Sequence, residues 1–287
     1  MFVVLSTFSS CDKEEQIPSY VFIPGLDLET DALQGSNSHD IVNVWVYCDR
    51  ILIGVFELPV RVPILESGEH TITVVPGIKK NGLFSKRVTY PFYTPFEEKL
   101  DLIPSAIDTI LPIITYRNNI TFSWLEDFED NAISVEKSGS NTTTDSMFIT
   151  QDSQQVFSHD GEENKYSGQV NIPSEFQIFE NATVQLYDLP RKGVDVYLEL
   201  NFKCNTEFTV GVYPVTGNFV NGVPIVNFYS TVDDKGKMQW KKAYVSLKED
   251  INNPEYAGAS FRVFFNAQTN GSGEKQLFFD NIKLIHF

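Results

Sequence analysis

Cysteine, histidine and positive charge are all scarce in this chain: its 287 residues hold Cys 3, His 4 and Lys+Arg 22 against Asp+Glu 38, for a formal net charge of −16. Each shortage closes off a class of function. So acidic a surface repels phosphate backbones and anionic lipid heads, which excludes nucleic acid as a partner. His39, His70, His159 and His286 are scattered at no metal-ligand spacing, so a zinc centre is not expected. No apolar stretch approaches the roughly 20 residues that a membrane-spanning helix needs. There is no G-x-S-x-G elbow, and no sustained 3.6-residue periodicity to announce helices.

What is present points to strands. The hydrophobic fraction is 42% and the aromatic fraction 13%, with Phe 23, Tyr 12, Gly 17 and Pro 14, the composition of a β-rich protein with many turns. The length suits two ordinary domains. Cys48 shares strand parity with Val44 and Val46, and Cys204 is in phase with Leu198, Leu200 and Phe202. Both are expected as buried, reduced thiols, better used as small hydrophobes than as a disulfide or a nucleophile.

Cys11 is different. Residues 2–8 form a short apolar run, Ser9 and Ser10 are small, and Asp12, Lys13, Glu14 and Glu15 follow at once. That order resembles the signal-peptidase site of bacterial lipoproteins, which implies diacylglycerol on the Cys11 sulfur. Phe8 stands where leucine is usual, and no Lys or Arg precedes the apolar run, which points to a late start or a trimmed chain. The alternative is an apolar strand that happens to hold a cysteine, and the switch to charge leaves that strand nothing to continue into. The acidic run after the cysteine also resembles the surface-export signal of Bacteroidota lipoproteins. The resemblance implies a lipid-anchored outer-membrane protein facing the cell surface, held by acyl chains without a spanning helix.

The expected fold class is all-β, a small N-terminal β-sandwich followed by a C-terminal jelly-roll β-sandwich. Residues 1–10 are the remnant of a signal peptide, 11–19 an acidic tether, 20–117 the first sandwich and 118–287 the second. In the first, IVNVWVYCDRILIGVFELP reads as a hairpin turning at Asp49-Arg50, and LESGEHTITVVPG as a strand after Gly68. Over residues 41–77 this resembles PEGA-type and transthyretin-like sandwiches. In the second, the opening "FE", the "KYSG" strand, the "WKKAY" strand and the closing "DNIKL" strand resemble galactose-binding-like jelly rolls, the fold of many carbohydrate-binding modules. The two-part arrangement is similar to a family of Bacteroidota lipoproteins. That likeness implies a place and a fold but no activity. Segment 101–120, with Pro104 and Pro112, shows no clear core phase, and KRVTYPFYTPF reads as an edge.

Ser-His-Asp occurs at residues 38–40 and 158–160, but neighbours on an extended chain point apart, so turn chemistry explains both. Glu126, Asp127, Glu129 and Asp130 cluster, with Glu126 and Asp130 on one side of an extended segment. A glycosidase needs two carboxyls about 5 to 9 Å apart across a cleft, and no second acidic motif supplies the partner. No catalytic residue is assigned. Asp280 shares a strand face with Phe278, Ile282 and Leu284, so burial is expected for it. The jelly-roll resemblance implies a structural calcium there, with Glu129 and Asp280 as side-chain ligands. The alternative is an Asp280 that accepts backbone amides or pairs with a cation. Trp240 is expected in the core, and Trp45 and Tyr47 give their strand a second apolar face. Asp108-Thr109-Ile110 and Asp145-Ser146-Met147 match a short Bacteroidota O-glycosylation pattern, as chance matches also would.

The leading expectation is a non-catalytic accessory subunit docking against outer-membrane proteins, a β-barrel or fellow lipoproteins, with no cofactor required beyond the possible calcium. The alternative is a glycan-binding surface lipoprotein of a carbohydrate-uptake system, and glycoside hydrolysis is a remote third.

Overall fold

The hairpin at Asp49-Arg50 forms as its sequence dictates. Strands Asn43–Cys48 and Ile51–Glu57 pair antiparallel with Cys48 opposite Ile51. Both turn residues sit in the left-handed region, at φ 47° and 71°, as a two-residue type I′ connection requires. Arg50 stands where glycine would be easier. The computed structural model describes residues 16–130, 132–139, 142–159, 164–173, 176–217, 221–269 and 273–287. Cys11 and the expected tether up to residue 15 lie outside them.

The protein is all-β, built as two sandwiches. In the first, a five-stranded sheet runs Ile51–Glu57, Asn43–Cys48, Gly68–Lys79 and Arg87–Thr89, with Phe96–Leu102 pairing the other half of Gly68–Lys79. Facing it are Val60–Ile64, Ser19–Ile23 and Ile107–Thr109 in one small sheet, and Ile113–Thr115 with Asp27–Glu29 in another. The segment without clear core phase therefore supplies two short strands, and both pair in parallel with the first strands of the sandwich. Short parallel partners far apart in sequence leave no hairpin signal to read. Val21, Val44, Val46, Cys48, Val62 and Ile72 fill the space between these layers.

The second sandwich packs a six-stranded sheet on a five-stranded one. The six-stranded sheet runs Phe148–Thr150, Ser167–Ile172, Lys275–His286, Val196–Cys204 and Lys241–Ser246, with Thr121–Glu126 on the remaining half of Lys275–His286. The other runs Val135–Lys137, Ile178–Thr183, Ser260–Gln268, Phe208–Val215 and Val223–Phe228. Leu198, Leu200, Phe202 and Cys204 all point into this core, each large side chain contributing about 1.5–3 kcal/mol by leaving water.

One expectation about strand phase is overturned here. Phe278 and Asp280 do not share a face with Ile282 and Leu284. Asn281 takes φ 47°, and the pairing with Val196–Cys204 shifts by one residue between Glu199 and Asn201. This bulge flips the alternation, so Leu277, Phe279, Ile282 and Leu284 face the core. Asp280 is fully buried on the other face.

That other face is where the halves meet. Every residue of Val196–Cys204 is buried, the polar ones included: the first sandwich covers the outer side at Glu199 and Asn201, and Trp240 and Phe278 flank Lys203. Tyr90 packs edge-on against Phe92, Tyr93, Tyr197 and Tyr244, contacts worth about 0.5–1.5 kcal/mol each beyond their area. Glu199 sits at the centre, accepting from the Tyr90 hydroxyl at 2.7 Å and from the Tyr116 hydroxyl at 2.9 and 3.0 Å. Lys242 Nζ approaches it at 3.0 Å. Lys283, close enough for its charge to act on Glu199, donates to the Ser36 carbonyl at 2.5 Å.

Candidate functional site

A cleft of about 630 Å³ opens where the two sandwiches join, within the roughly 300–1,000 Å³ typical of small-molecule sites. Its floor is the outer face of the six-stranded sheet at Asn201 and Lys242. One wall comes from the first half, through residues 38–40 and the turn 79–83. The other comes from the second half, through residues 157–159 and Trp240, with Tyr229 on the rim.

Local chemistry holds each wall in place. The Ser38 hydroxyl donates to Asn201 Oδ1 at 2.8 Å, and the Asp40 amide donates to the Tyr244 hydroxyl at 3.1 Å. The turn at Asn81 is pinned to the neighbouring strand: its amide donates to the Tyr244 carbonyl at 2.8 Å, and its Oδ1 accepts from the Ser246 amide at 2.8 Å. Asn81 takes φ 57°, a conformation asparagine tolerates. Opposite, the Phe157 ring lies edge-on to Trp240 at 5.3 Å and stacks on His159 at 6.3 Å. The Phe157 amide donates to the Ser167 hydroxyl at 2.9 Å.

The structure corrects one reading made from the residues. Trp240 is half-buried and outside the core, presenting part of its indole to the cleft. Lys203 Nζ lies 5.1 Å from its ring centroid and 4.8 Å from that of Phe278, a cation–π seat that fixes the indole plane. Burial pulls the Lys203 ammonium down to about 8, against an opposing pull from Asp152. The two Ser-His-Asp runs, read as turns, also meet here. Ser38, His39 and Asp40 face Ser158 and His159 across this one cleft; Asp160 lies outside the described residues. Burial, then the charges of His159 and Lys242, lower the His39 pKa below its ordinary 6.5, so the ring is neutral near pH 7. Nothing along the chain links residues 38–40 to 158–159, although the repeated tripeptide was the available signal.

The acidic cluster serves structure. Glu126 is buried and accepts from the Phe128 amide at 3.1 Å, the Ser134 amide at 2.8 Å and the Ser134 hydroxyl. It closes the 126–134 turn over Phe128, and burial raises its pKa despite those donors. Glu129 accepts from the Lys165 and Tyr166 amides at 2.8 and 2.9 Å. Asp280 accepts from the Ser167 hydroxyl and, at 2.8 Å, from the Asn281 amide. Three consecutive residues, 165–167, thus hold both expected calcium ligands. Burial pushes the Asp280 carboxyl well above the usual range, and the nearby charges of Glu129 and Asp127 push it further.

Cys48, Asp49 and His70 bring one ligand atom each within 4.8 Å of one another. Asp49 and His70 are already an ion pair at 2.6 Å beside the hairpin turn, and Cys48 is 1% exposed and packed into the core.

No family model matches the chain, and no curated protein matches it. Among solved structures it is similar to a carbohydrate-binding module studied for the promiscuous specificity of the β-sandwich superfamily. There the TM-score is 0.41 at 13% identity, covering 85% of this chain and 84% of that one. It is similar as well to a carbohydrate-binding module specific for non-crystalline cellulose, with a TM-score of 0.37 at 10% identity, over 55% of this chain and 91% of that one. A third is the mannan-recognising module TmCBM27, with a TM-score of 0.35 at 12% identity, over 59% of this chain and 99% of that one.

Proposed function

We propose that this protein is a non-catalytic glycan-binding lipoprotein whose binding site is the cleft between its two sandwiches. The observation that carries the reading is the composition of the cleft. A half-buried Trp240 and a 74% exposed Tyr229 offer apolar faces. Ser38, Asn201, Asn227, Ser158 and Ser230 surround them with neutral hydrogen-bonding groups. Sugars present the complementary surface, apolar C–H faces edged by hydroxyls. The reading rests on this arrangement and not on the likenesses of fold. Isothermal titration against a glycan panel tests it. Trp240→Ala should weaken the best ligand roughly 10- to 100-fold, as loss of a central aromatic anchor does; unchanged affinity in the variant would remove the cleft from the reading.

The anchor remains part of the proposal: Cys11 carries the lipid and places the protein at the outer membrane, facing outward. Metabolic labelling with a palmitate analogue should mark the wild type and leave Cys11→Ala unmarked. Glu129 and Asp280 are the proposed holders of a structural calcium, which would balance their charge.

A second reading, docking to an outer-membrane protein, is favoured by one feature. The outward face of the first five-stranded sheet aligns Trp45 with Val55 and Val75, and Tyr47 with Leu52. Leu52 and Val55 are 48% and 46% exposed there, an apolar patch of the kind that partners cover. A mild-detergent pulldown in which Val55→Glu loses a stoichiometric membrane partner would support it; recovery of the protein alone would oppose it.

A further inference from the structure

One end of the first sandwich gathers side chains that the sequence keeps apart. Cys48 closes its strand opposite Ile72, and His70 lies two residues before Ile72 on Gly68–Lys79. Residues two apart on a strand share a face, so His70 and Cys48 both project from the core side of the sheet, where Cys48 and Ile72 pack. Asp49, the first residue of the hairpin turn, reaches over the same end. One ligand atom from each of Cys48, Asp49 and His70 falls within 4.8 Å of the other two. The two polar members are already oriented. The Thr71 amide donates to Asp49 Oδ1 at 2.9 Å, while Oδ2 faces His70 Nδ1 at 2.6 Å. The other ring nitrogen, Nε2, donates to the Ser67 carbonyl at 3.2 Å. A metal-binding imidazole gives its second N–H to just such a carbonyl, which fixes the tautomer and aims the opposite nitrogen.

We propose that Cys48, Asp49 and His70 form a binding site for a borderline-soft divalent cation of the zinc class, independent of the cleft and of any glycan. The ion takes the place of the proton held between Nδ1 and Oδ2, and the Cys48 sulfur binds it as thiolate. Binding releases two protons, one from the thiol and one from the Asp49–His70 pair. One thiolate and one carboxylate then balance the two charges of the ion. Thiolate and imidazole ligands select against calcium and magnesium. Zinc–nitrogen and zinc–sulfur bonds of about 2.0 and 2.3 Å set tetrahedral ligand atoms roughly 3.3–3.6 Å apart, so movements of about an ångström close the site. Water supplies the fourth ligand on the open side, where the Asp49 side chain is 51% exposed. Glu66, near enough for its charge to act on both Cys48 and His70, adds to the attraction. Without the ion, Cys48 is a buried thiol under the hairpin. With it, the turn and the start of Gly68–Lys79 are clipped together.

The test uses the full chain, stripped of metal by chelator, with cobalt(II) as the spectroscopic probe and zinc alone as the competitor. One equivalent of cobalt should produce a thiolate-to-cobalt charge-transfer band, and zinc should remove it. Cys48→Ala should abolish the band. His70→Gln, at a half-buried position outside the core, should weaken zinc by more than about 100-fold in titration calorimetry, since losing an outer-shell partner alone costs 10–100-fold. This second variant decides the matter should Cys48→Ala fail to fold. Absence of the band in the wild type, its survival in Cys48→Ala, or unchanged zinc affinity in His70→Gln would each overturn the site.

Discussion

Replacing Glu199 with glutamine removes one negative charge from the centre of the junction and almost nothing else. The amide keeps the shape, and its oxygen can still accept from one of the two tyrosines. What it cannot do is balance Lys242 at 3.0 Å or the charge of Lys283. Breaking a buried ion pair from one side costs about 3–5 kcal/mol, and here two ammonium groups lose the same counter-ion. Against a total stability of about 5–15 kcal/mol, the variant should unfold at distinctly lower urea concentration. Tyr90 and Tyr116 come from the first sandwich and Glu199 from the second, so calorimetry should also resolve two transitions in place of one. Lys242→Met on the Glu199→Gln background should recover part of the loss, which a double-mutant cycle measures. The sign with pH follows from the direction of the Glu199 shift. Burial alone would raise its pKa; the charges of Lys242 and Lys283 and the hydrogen bond from Tyr90 outweigh burial and hold it below the ordinary 4.5. Its contribution is therefore complete above pH 4.5 and disappears as the pH falls through the folded value. Wild type and variant should converge in acid. A loss under about 1 kcal/mol at neutral pH, or a gap that persists in acid, would refute this account of the junction.

The Asp280 carboxyl is raised, so without a cation the native state gains stability as the pH falls from neutral towards 3.8. Calcium at neutral pH should raise the Tm of the wild type and leave Asp280→Asn unmoved; equal Tm in calcium and in chelator would exclude the site. His70 is held above 6.5, first by the hydrogen bond it donates to Asp49. The pair therefore stabilises the hairpin below that pH and stops doing so as the pH rises through the folded value. An NMR titration should return His70 to the ordinary value in Asp49→Asn, and an unchanged midpoint would count against the pair. Burial pushes the Cys204 thiol up to about 11 and raises that of Cys48 as well. Both should resist a thiol reagent until the chain unfolds, and fast labelling of the native protein would contradict their placement.

Much of the fold could be read from the chain because period-two alternation and turn residues act locally. The hairpin at Asp49-Arg50, the inward phase of Cys48 and Cys204, and the all-β class all follow from neighbours in sequence. What escaped depends on the other half of the molecule. Glu199, Asn201 and Lys203 alternate with Leu198, Leu200 and Phe202 as solvent-facing residues would, yet all three are buried, Glu199 and Asn201 under the first sandwich and Lys203 beside Trp240 and Phe278. One left-handed residue, Asn281, reversed the face assigned to Ile282 and Leu284. The jelly-roll resemblance implies a core position for Trp240; its partial exposure is set by a cleft that exists only once residues 38–40 and 157–159 meet. The cleft itself had no local signature, since its walls are more than a hundred residues apart.

The order in which the strands occur along the chain has a consequence for how the protein is made. Lys275–His286 lies inside the six-stranded sheet, hydrogen-bonded to Ser167–Ile172 and Thr121–Glu126 along one edge and to Val196–Cys204 along the other, and it follows all three in sequence. As the chain leaves a ribosome, those three strands emerge with an empty lane between them and no neighbour to close it. The second sandwich therefore stays open until its final strand is delivered. The junction built on that sandwich must wait too, because Lys283 and Ile285 belong to the same strand. The segment that completes the sandwich is the last of its strands to arrive, so pairing of the earlier ones cannot close the sheet before it.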